Sequence, residues 1–215
     1  AHRNRFDRPV QRQRLHFAQD GLVFEDWLDD LRVPDRDGEA VPAWISLQAR
    51  ALLGTRGEVR PAAVLLPYLR SLVAAACGVQ VQGIIVARDA TLALQPMPPG
   101  EAMAQFQTLL QVWQAGQDSP LPLPLKTALA AAGGEDLARA ETAYEGDGFA
   151  QAGEADDACW ARLYPDFDAL TADGRFAPLA EAVHAPLLAW LADQVQVLEP
   201  GTLAPVIYLL PLEQA

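Results

Sequence analysis

The chain has 215 residues, 51% of them hydrophobic and 20% charged, with a net charge of −12. That is enough to bury a substantial core. The longest apolar candidate, Ala62 to Ala76, is broken by Pro67 and Arg70 and is too short to cross a bilayer. The carboxylate excess opposes binding to a phosphate backbone unless cations are gathered in one place, and two cysteines in a chain of this size call for no disulfide framework.

Val10 to Phe17 and Leu22 to Val33 read as two extended segments around Gln19-Asp20-Gly21, a turn that favours a positive φ at Gly21, and so as a hairpin. After Pro34-Asp35-Arg36-Asp37-Gly38, the stretch Val41 to Leu53 fits either a third strand through Trp44, Ile45 and Leu47 or a helix starting at Pro42. Leu65, Leu69, Leu72, Val73 and Ala76 recur at helical spacing from Pro61 onwards and stop at Gly78. Gln82 to Arg88 and Thr91 to Leu94 form a second hairpin pattern across Asp89-Ala90. Pro98-Pro99-Gly100 opens a helix whose stripe is Ala102, Met103, Phe106, Leu109, Leu110 and Trp113, with Gly116 as its expected end.

Ser119 to Leu125 alternates Pro with Leu, which enforces an extended connector. Helices are then expected over Lys126 to Ala132, Glu135 to Glu145, Asp156 to Tyr164 and Pro178 to Val195, the last kinked by Pro186. Leu198 to Ala215 is apolar and Pro-punctuated, and the pattern assigns it no element. The start has no initiator Met and no apolar stretch behind its arginines, so it reads as neither a signal peptide nor a natural beginning, and the chain as part of a longer one.

Most catalytic patterns are missing. His2, His16 and His184 share no metal-ligand spacing, Ser46, Ser71 and Ser119 lie in no nucleophile elbow, and Lys126-Thr127 has no glycine-rich loop before it. Two acidic groups remain: Asp26, Asp29 and Asp30 at the end of an extended segment, and Glu141, Glu145, Asp147, Glu154, Asp156 and Asp157 around a loop. Converging carboxylates hold Mg²⁺ for phosphodiester cleavage, whereas separate ones cap helices and turns, which is the reading favoured here. Basic charge is concentrated at the start. Residues 1 to 14 carry Arg3, Arg5, Arg8, Arg12 and Arg14 against Asp7, a balance of +4 that leaves −16 for the rest. Any DNA contact is therefore expected at Arg5, Arg8, Arg12 and Arg14.

The stretch Ala143-Tyr144-Glu145-Gly146-Asp147, followed by Gly153-Glu154, Asp156-Asp157, Trp160, Arg162-Leu163 and a helix with central Pro186-Leu187-Leu188, resembles the carboxy-terminal domain of the RecC-type gamma subunit of exodeoxyribonuclease V. Upstream, a hairpin, a helix ending Leu110-Gln111-Val112-Trp113-Gln114-Ala115-Gly116 and a connector with Pro120-Leu121 follow that family's order, so the resemblance spans roughly residues 10 to 195. Gln48 to Pro61 and the tail after Val195 depart from it.

The resemblance implies an α/β domain of degenerate restriction-endonuclease-like, PD-(D/E)XK type, with a central mixed sheet flanked by helices and a helical carboxy-terminal part. Its expected boundaries are a linker or tail over 1–9, the nuclease-like domain over 10–197 and a tail over 198–215. It also implies a cytoplasmic, noncatalytic role in double-strand break repair and recombination, with subunit contacts and strand guidance. The partners would be the alpha and beta subunits and the DNA they hold, with no membrane, no small-molecule ligand and no cofactor of its own.

A working nuclease of this shape needs an Asp on one strand and an acid-x-Lys triplet on the next. Asp29 fits the first position as a vestigial metal ligand. The chain's only lysine, Lys126, has Pro124 two residues before it, and the nearest substitute is Glu58-Val59-Arg60. The alternatives are an active Mg²⁺-dependent nuclease using Asp29 with Glu39 or Glu58, and a binding module unrelated to the helicase-nuclease.

Overall fold

The computed structural model describes residues 1–19, 21–35, 40–134, 137–148 and 152–208. They group into two compact units, one from residues 1–106 with the chain after 193, the other from 107–192.

The first unit is built on a sheet. Its elements are α1 (His2–Arg5), β1 (Arg8–Pro9), β2 (Gln13–Gln19), β3 (Leu22–Leu28), β4 (Arg32–Val33), β5 (Ala43–Gln48), a 3-10 turn over Pro61–Ala63, α2 (Leu65–Ala76), β6 (Gln82–Ala87), β7 (Thr91–Leu94), the start of α3 (Pro99–Asp118) and β8 (Val195–Leu198). Six strands form one mixed sheet in the order β1-β4-β5-β6-β7-β8. β5 and β6 are parallel, with α2 in the connection between them, and the other pairs are antiparallel.

The helical spacing from Leu65 to Ala76 produces α2, which buries Tyr68, Leu72 and Ala75. It ends where Gly78 takes a φ of +77° and Val79 N–H reaches back to Ala74 O at 2.8 Å. Trp44 is buried and lies opposite Gly83 across the parallel register; a Cβ on Gly83 would sit 2.4 Å from Cζ2 of the indole, so only glycine admits the ring. On the other sheet face, Ala43, Ile84 and Ala93 pack with Phe6 from the chain's first residues and Ala204 from its last segment.

β2 and β3 stand apart as a two-stranded sheet, with register from Gln13↔Leu28 to Gln19↔Leu22. Strand alternation turns Leu15, Phe17 and Leu28 inward, and Phe17 and Phe24 meet Phe106 of α3 edge-on at 5.2 and 5.3 Å. Arg14, His16, Val23, Glu25 and Trp27 occupy the outward face.

The second unit continues α3 and adds α4 (Leu125–Ala132), α5 (Leu137–Glu145), a 3-10 turn over Glu154–Asp156, α6 (Ala158–Leu163), α7 (Phe167–Thr171) and most of α8 (Phe176–Gln194), which contains Pro186. Its core is Ala128, Ala140, Tyr144, Phe167, Leu170, Phe176 and Ala180. Tyr144 O–H donates to Tyr164 O, which ties the end of α5 to the end of α6. No helix among the described residues is long and apolar enough to cross a membrane.

Several sequence expectations change. The extended run expected through Val33 breaks at Asp29-Asp30, where Asp30 takes a φ of +59° and the chain passes from the hairpin to the large sheet. Val41 to Leu53 resolves as a strand. α3 runs through Gly116 to Asp118, because a mid-helix glycine weakens a helix without ending it. The unassigned tail begins with the end of β8, and Val41 N–H then bonds Ile207 O at 2.9 Å.

Candidate functional site

The acid expected to survive from a nuclease site, Asp29, lies just past the end of β3, in the turn that leaves the hairpin, and its side chain is exposed. Its backbone carbonyl accepts a hydrogen bond from Nη2 of Arg70 at 2.8 Å. Arg70 comes from α2, is half-buried, and lays its guanidinium over the indole of Trp44, 5.0 Å from the ring centroid. Burial pulls the Arg70 pKa down, and the carboxylates of Asp30, Asp29 and Asp26 hold it up. Arg70, delivered by the helix that crosses from β5 to β6, thus touches this acidic turn at a backbone carbonyl and meets its carboxylates only through space. Periodicity placed Arg70 on a helix but gave no sign of its partner 41 residues earlier.

The segment expected as the nearest substitute for an acid-x-Lys triplet is not on a named strand. Glu58-Val59-Arg60 lies in a loop, where the Glu58 carboxylate accepts from Arg56 N–H at 3.0 Å and folds over Gly54. Arg60 is turned onto the carbonyl of Ala51. The strand that precedes the crossover helix is β5, and its last three residues are Ser46-Leu47-Gln48. Ser46 and Gln48 share a strand face with Trp44, and Arg50 Nε donates to Gln48 Oε1 at 3.2 Å. Glu39 lies outside the described residues. Among the described residues, no group of three or more His, Cys, Asp or Glu side chains is arranged to hold a metal ion.

The four arginines expected to meet DNA separate into three settings. Arg12 and Arg14 lie together beside the outward face of the hairpin, where Arg12 stacks 4.2 Å above Trp27 and Arg14 pairs with Glu25. His16 Nδ1 is 3.2 Å from the same carboxylate, and the Arg14 guanidinium holds Glu25 below the usual carboxylate range. Trp27 is 46% exposed and Val23 62% exposed, so this face combines the Arg12 cation and the Arg14–Glu25 ion pair with open apolar surface. Arg8 sits on the edge strand β1. Arg5 lines an open cavity of about 580 Å³ with Asn4, Asp7 and Asp35, whose acids offset its charge.

The larger acidic group caps helices. Glu154 accepts from the N–H of Lys126 at 3.0 Å and from both the N–H and Oγ1 of Thr127 at 2.8 Å, closing the start of α4 from 27 residues away. Glu145 accepts from Phe167 N–H at 3.0 Å, and Asp166 from Ala169 N–H at 2.7 Å, both at the start of α7. Asp157 caps α6 through Cys159 N–H at 2.8 Å. Gly153 is fixed by contact: a Cβ there would fall 2.2 Å from Tyr144 O. The Gly153-Glu154 pair is therefore a device for bringing one carboxylate under α4.

The model of the RecC C-terminal domain matches residues 1–136 of the chain. The match takes in the hairpin, the acidic turn, Arg70 and the whole β1-to-β7 part of the sheet, and it stops before Ala143 to Leu163, where the capping carboxylates begin. No curated protein matches the chain.

Proposed function

The chain belongs to the RecC C-terminal domain family, and on that premise we propose that it is a noncatalytic, restriction-endonuclease-like domain of an exodeoxyribonuclease V gamma subunit. It works in the cytoplasm in double-strand break repair and recombination, contacts the alpha and beta subunits, and guides a DNA strand along the outward face of the β2–β3 hairpin. Family membership sets aside an unrelated binding module.

The observation that carries the noncatalytic reading is Arg70. A metal-dependent site gathers its acids around a divalent cation, and here the turn of Asp29 is tied by its backbone carbonyl to Arg70, a permanent cation near Asp26, Asp29 and Asp30 that also lies over Trp44. The strand ending Ser46-Leu47-Gln48 supports the same reading, because a hydroxyl and an amide supply neither metal-binding charge nor an ammonium to activate water. The guidance reading rests on Arg12, Arg14 and Trp27, which put phosphate-binding charge next to an aromatic surface that tolerates any base.

Incubating the full chain with linear DNA and Mg²⁺ or Mn²⁺ tests catalysis directly. No cleavage is expected, and cleavage abolished by Asp29→Ala overturns the proposal in favour of an active nuclease. Strand guidance predicts that Arg12→Gln with Arg14→Gln flattens the salt dependence of oligo-dT binding by about 0.7 log units per lost phosphate contact.

A further inference from the structure

We infer that Arg70 is a positioning residue for DNA, latching the base of the β2–β3 hairpin so that Arg12, Arg14 and Trp27 are held at a fixed pitch to the sheet. This inference rests on the strand-guidance reading above.

The hairpin belongs to neither edge of the six-stranded sheet, so no ladder of backbone hydrogen bonds fixes its angle. Among its attachments in the described residues are four, one of them the Cys77 thiol at the end of α2 against the backbone of His16. Phe106 packs under its inward face against Phe17 and Phe24. At its amino-terminal side, Val10 N–H bonds Leu31 O at 2.9 Å beside the short β1–β4 pair. At its carboxy-terminal side, the exit turn is held by Arg70 through the Asp29 carbonyl.

The aromatic packing and the β1–β4 pair have different directional demands. Edge-on aromatic contacts tolerate sliding, and a two-residue pair allows twist. The Arg70 contact does not. The Arg70 guanidinium lies over Trp44, itself locked against Gly83, and donates only in its own plane, which limits where the Asp29 carbonyl can accept. Asp30 accepts a left-handed φ of +59° in the same turn, the backbone cost of meeting this geometry and re-entering the sheet at Arg32. The direction of the hairpin's exit is thereby referred to Trp44 of β5 through the Arg70 side chain.

Arg70 lies on α2 and, on this inference, touches no DNA, which separates its effect from that of a phosphate contact. In the full chain, Arg70→Gln should speed amide hydrogen exchange over Asp26 to Leu31 by about tenfold, the consequence of losing one net hydrogen bond, with β5 and β6 unchanged. Binding of a fluorescein-labelled oligo-dT strand should weaken about fivefold, the low end of couplings between separate sites, with an unaltered salt slope. A slope flattened by about 0.7 makes Arg70 a phosphate contact and overturns the inference, as does unchanged exchange over Asp26 to Leu31. Should exchange rise as expected while Arg12→Gln with Arg14→Gln leaves oligo-dT binding intact, the guidance reading fails and the latch stands. Accelerated exchange throughout β5 and β6 marks general unfolding and also overturns it.

Discussion

Asp26, Asp29 and Asp30 in the sheet unit and Glu145, Glu154, Asp157 and Asp166 in the helical unit are two carboxylate-rich regions among the described residues, and they meet different kinds of partner. The first set meets one guanidinium, carried on a helix and backed by an indole. Members of the second set each meet the open N–H groups at the start of a helix, where the helix dipole favours negative charge. A count of acids in the sequence cannot tell these apart from each other or from a metal site. What distinguishes them is the partner, and among the described residues neither set forms a group of three or more side chains arranged to hold a metal ion.

The comparison can be broken at four points. Gly153→Ala should cost most, about 3 kcal/mol, since the new methyl meets the backbone of Tyr144 and Glu145, which has no room to move. Urea denaturation followed by circular dichroism reads this directly. Glu154→Ala removes three hydrogen bonds at the start of α4 and should lower stability by about 2 kcal/mol while leaving oligo-dT binding unchanged, because the loss stays within the helical unit.

Arg70→Gln should cost only about 1 kcal/mol, from one hydrogen bond and a partly exposed cation–π contact. It should be partly relieved by salt, since three aspartates then repel one another without a cation nearby. Thermal melts at low and high ionic strength check this; no relief by salt means the acids were never electrostatically coupled to Arg70. The smallest effect is one of pH. His184 is buried, its Nδ1 has no hydrogen-bond partner among the described residues, and burial pulls its pKa below 6.5. The folded state thus holds the ring neutral while the unfolded state protonates near 6.5. Its stability contribution is complete above that pH and declines as pH falls from 6.5 towards the lowered folded value. His184→Leu should flatten this part of the profile between pH 7.5 and 5.5.

Local pattern and long-range pairing differ in how much of themselves they write into the sequence. The period of three and four from Leu65 to Ala76, and the alternation around Gly21 and Asp89-Ala90, are visible because each residue reports the same buried face, and those elements form where the spacing puts them. Val41 to Leu53 is ambiguous in sequence because a short apolar run suits a strand or a helix, and the parallel pairing of Ala43–Gln48 with Gln82–Ala87 decides it. Arg12 and Arg14 were visible as charge, yet their neighbour Trp27 came from the opposite strand. Glu154 at α4 and Arg70 at Asp29 join residues 27 and 41 positions apart, and no periodicity encodes that.

β8 has a consequence for the order of synthesis. The strand that completes the large sheet is made roughly 100 residues after β7, once every helix of the second unit has been translated, a delay of roughly 5–20 s at ordinary elongation rates. Until then, the outer edge of β7 presents unpaired N–H and C=O groups along Thr91–Leu94, a mostly apolar run with no charge or proline to blunt it. A nascent chain paused inside the helical insertion therefore carries an open template for strand addition. Its vulnerability to aggregation or chaperone capture should be greatest there, and should end when Val195 to Leu198 arrive.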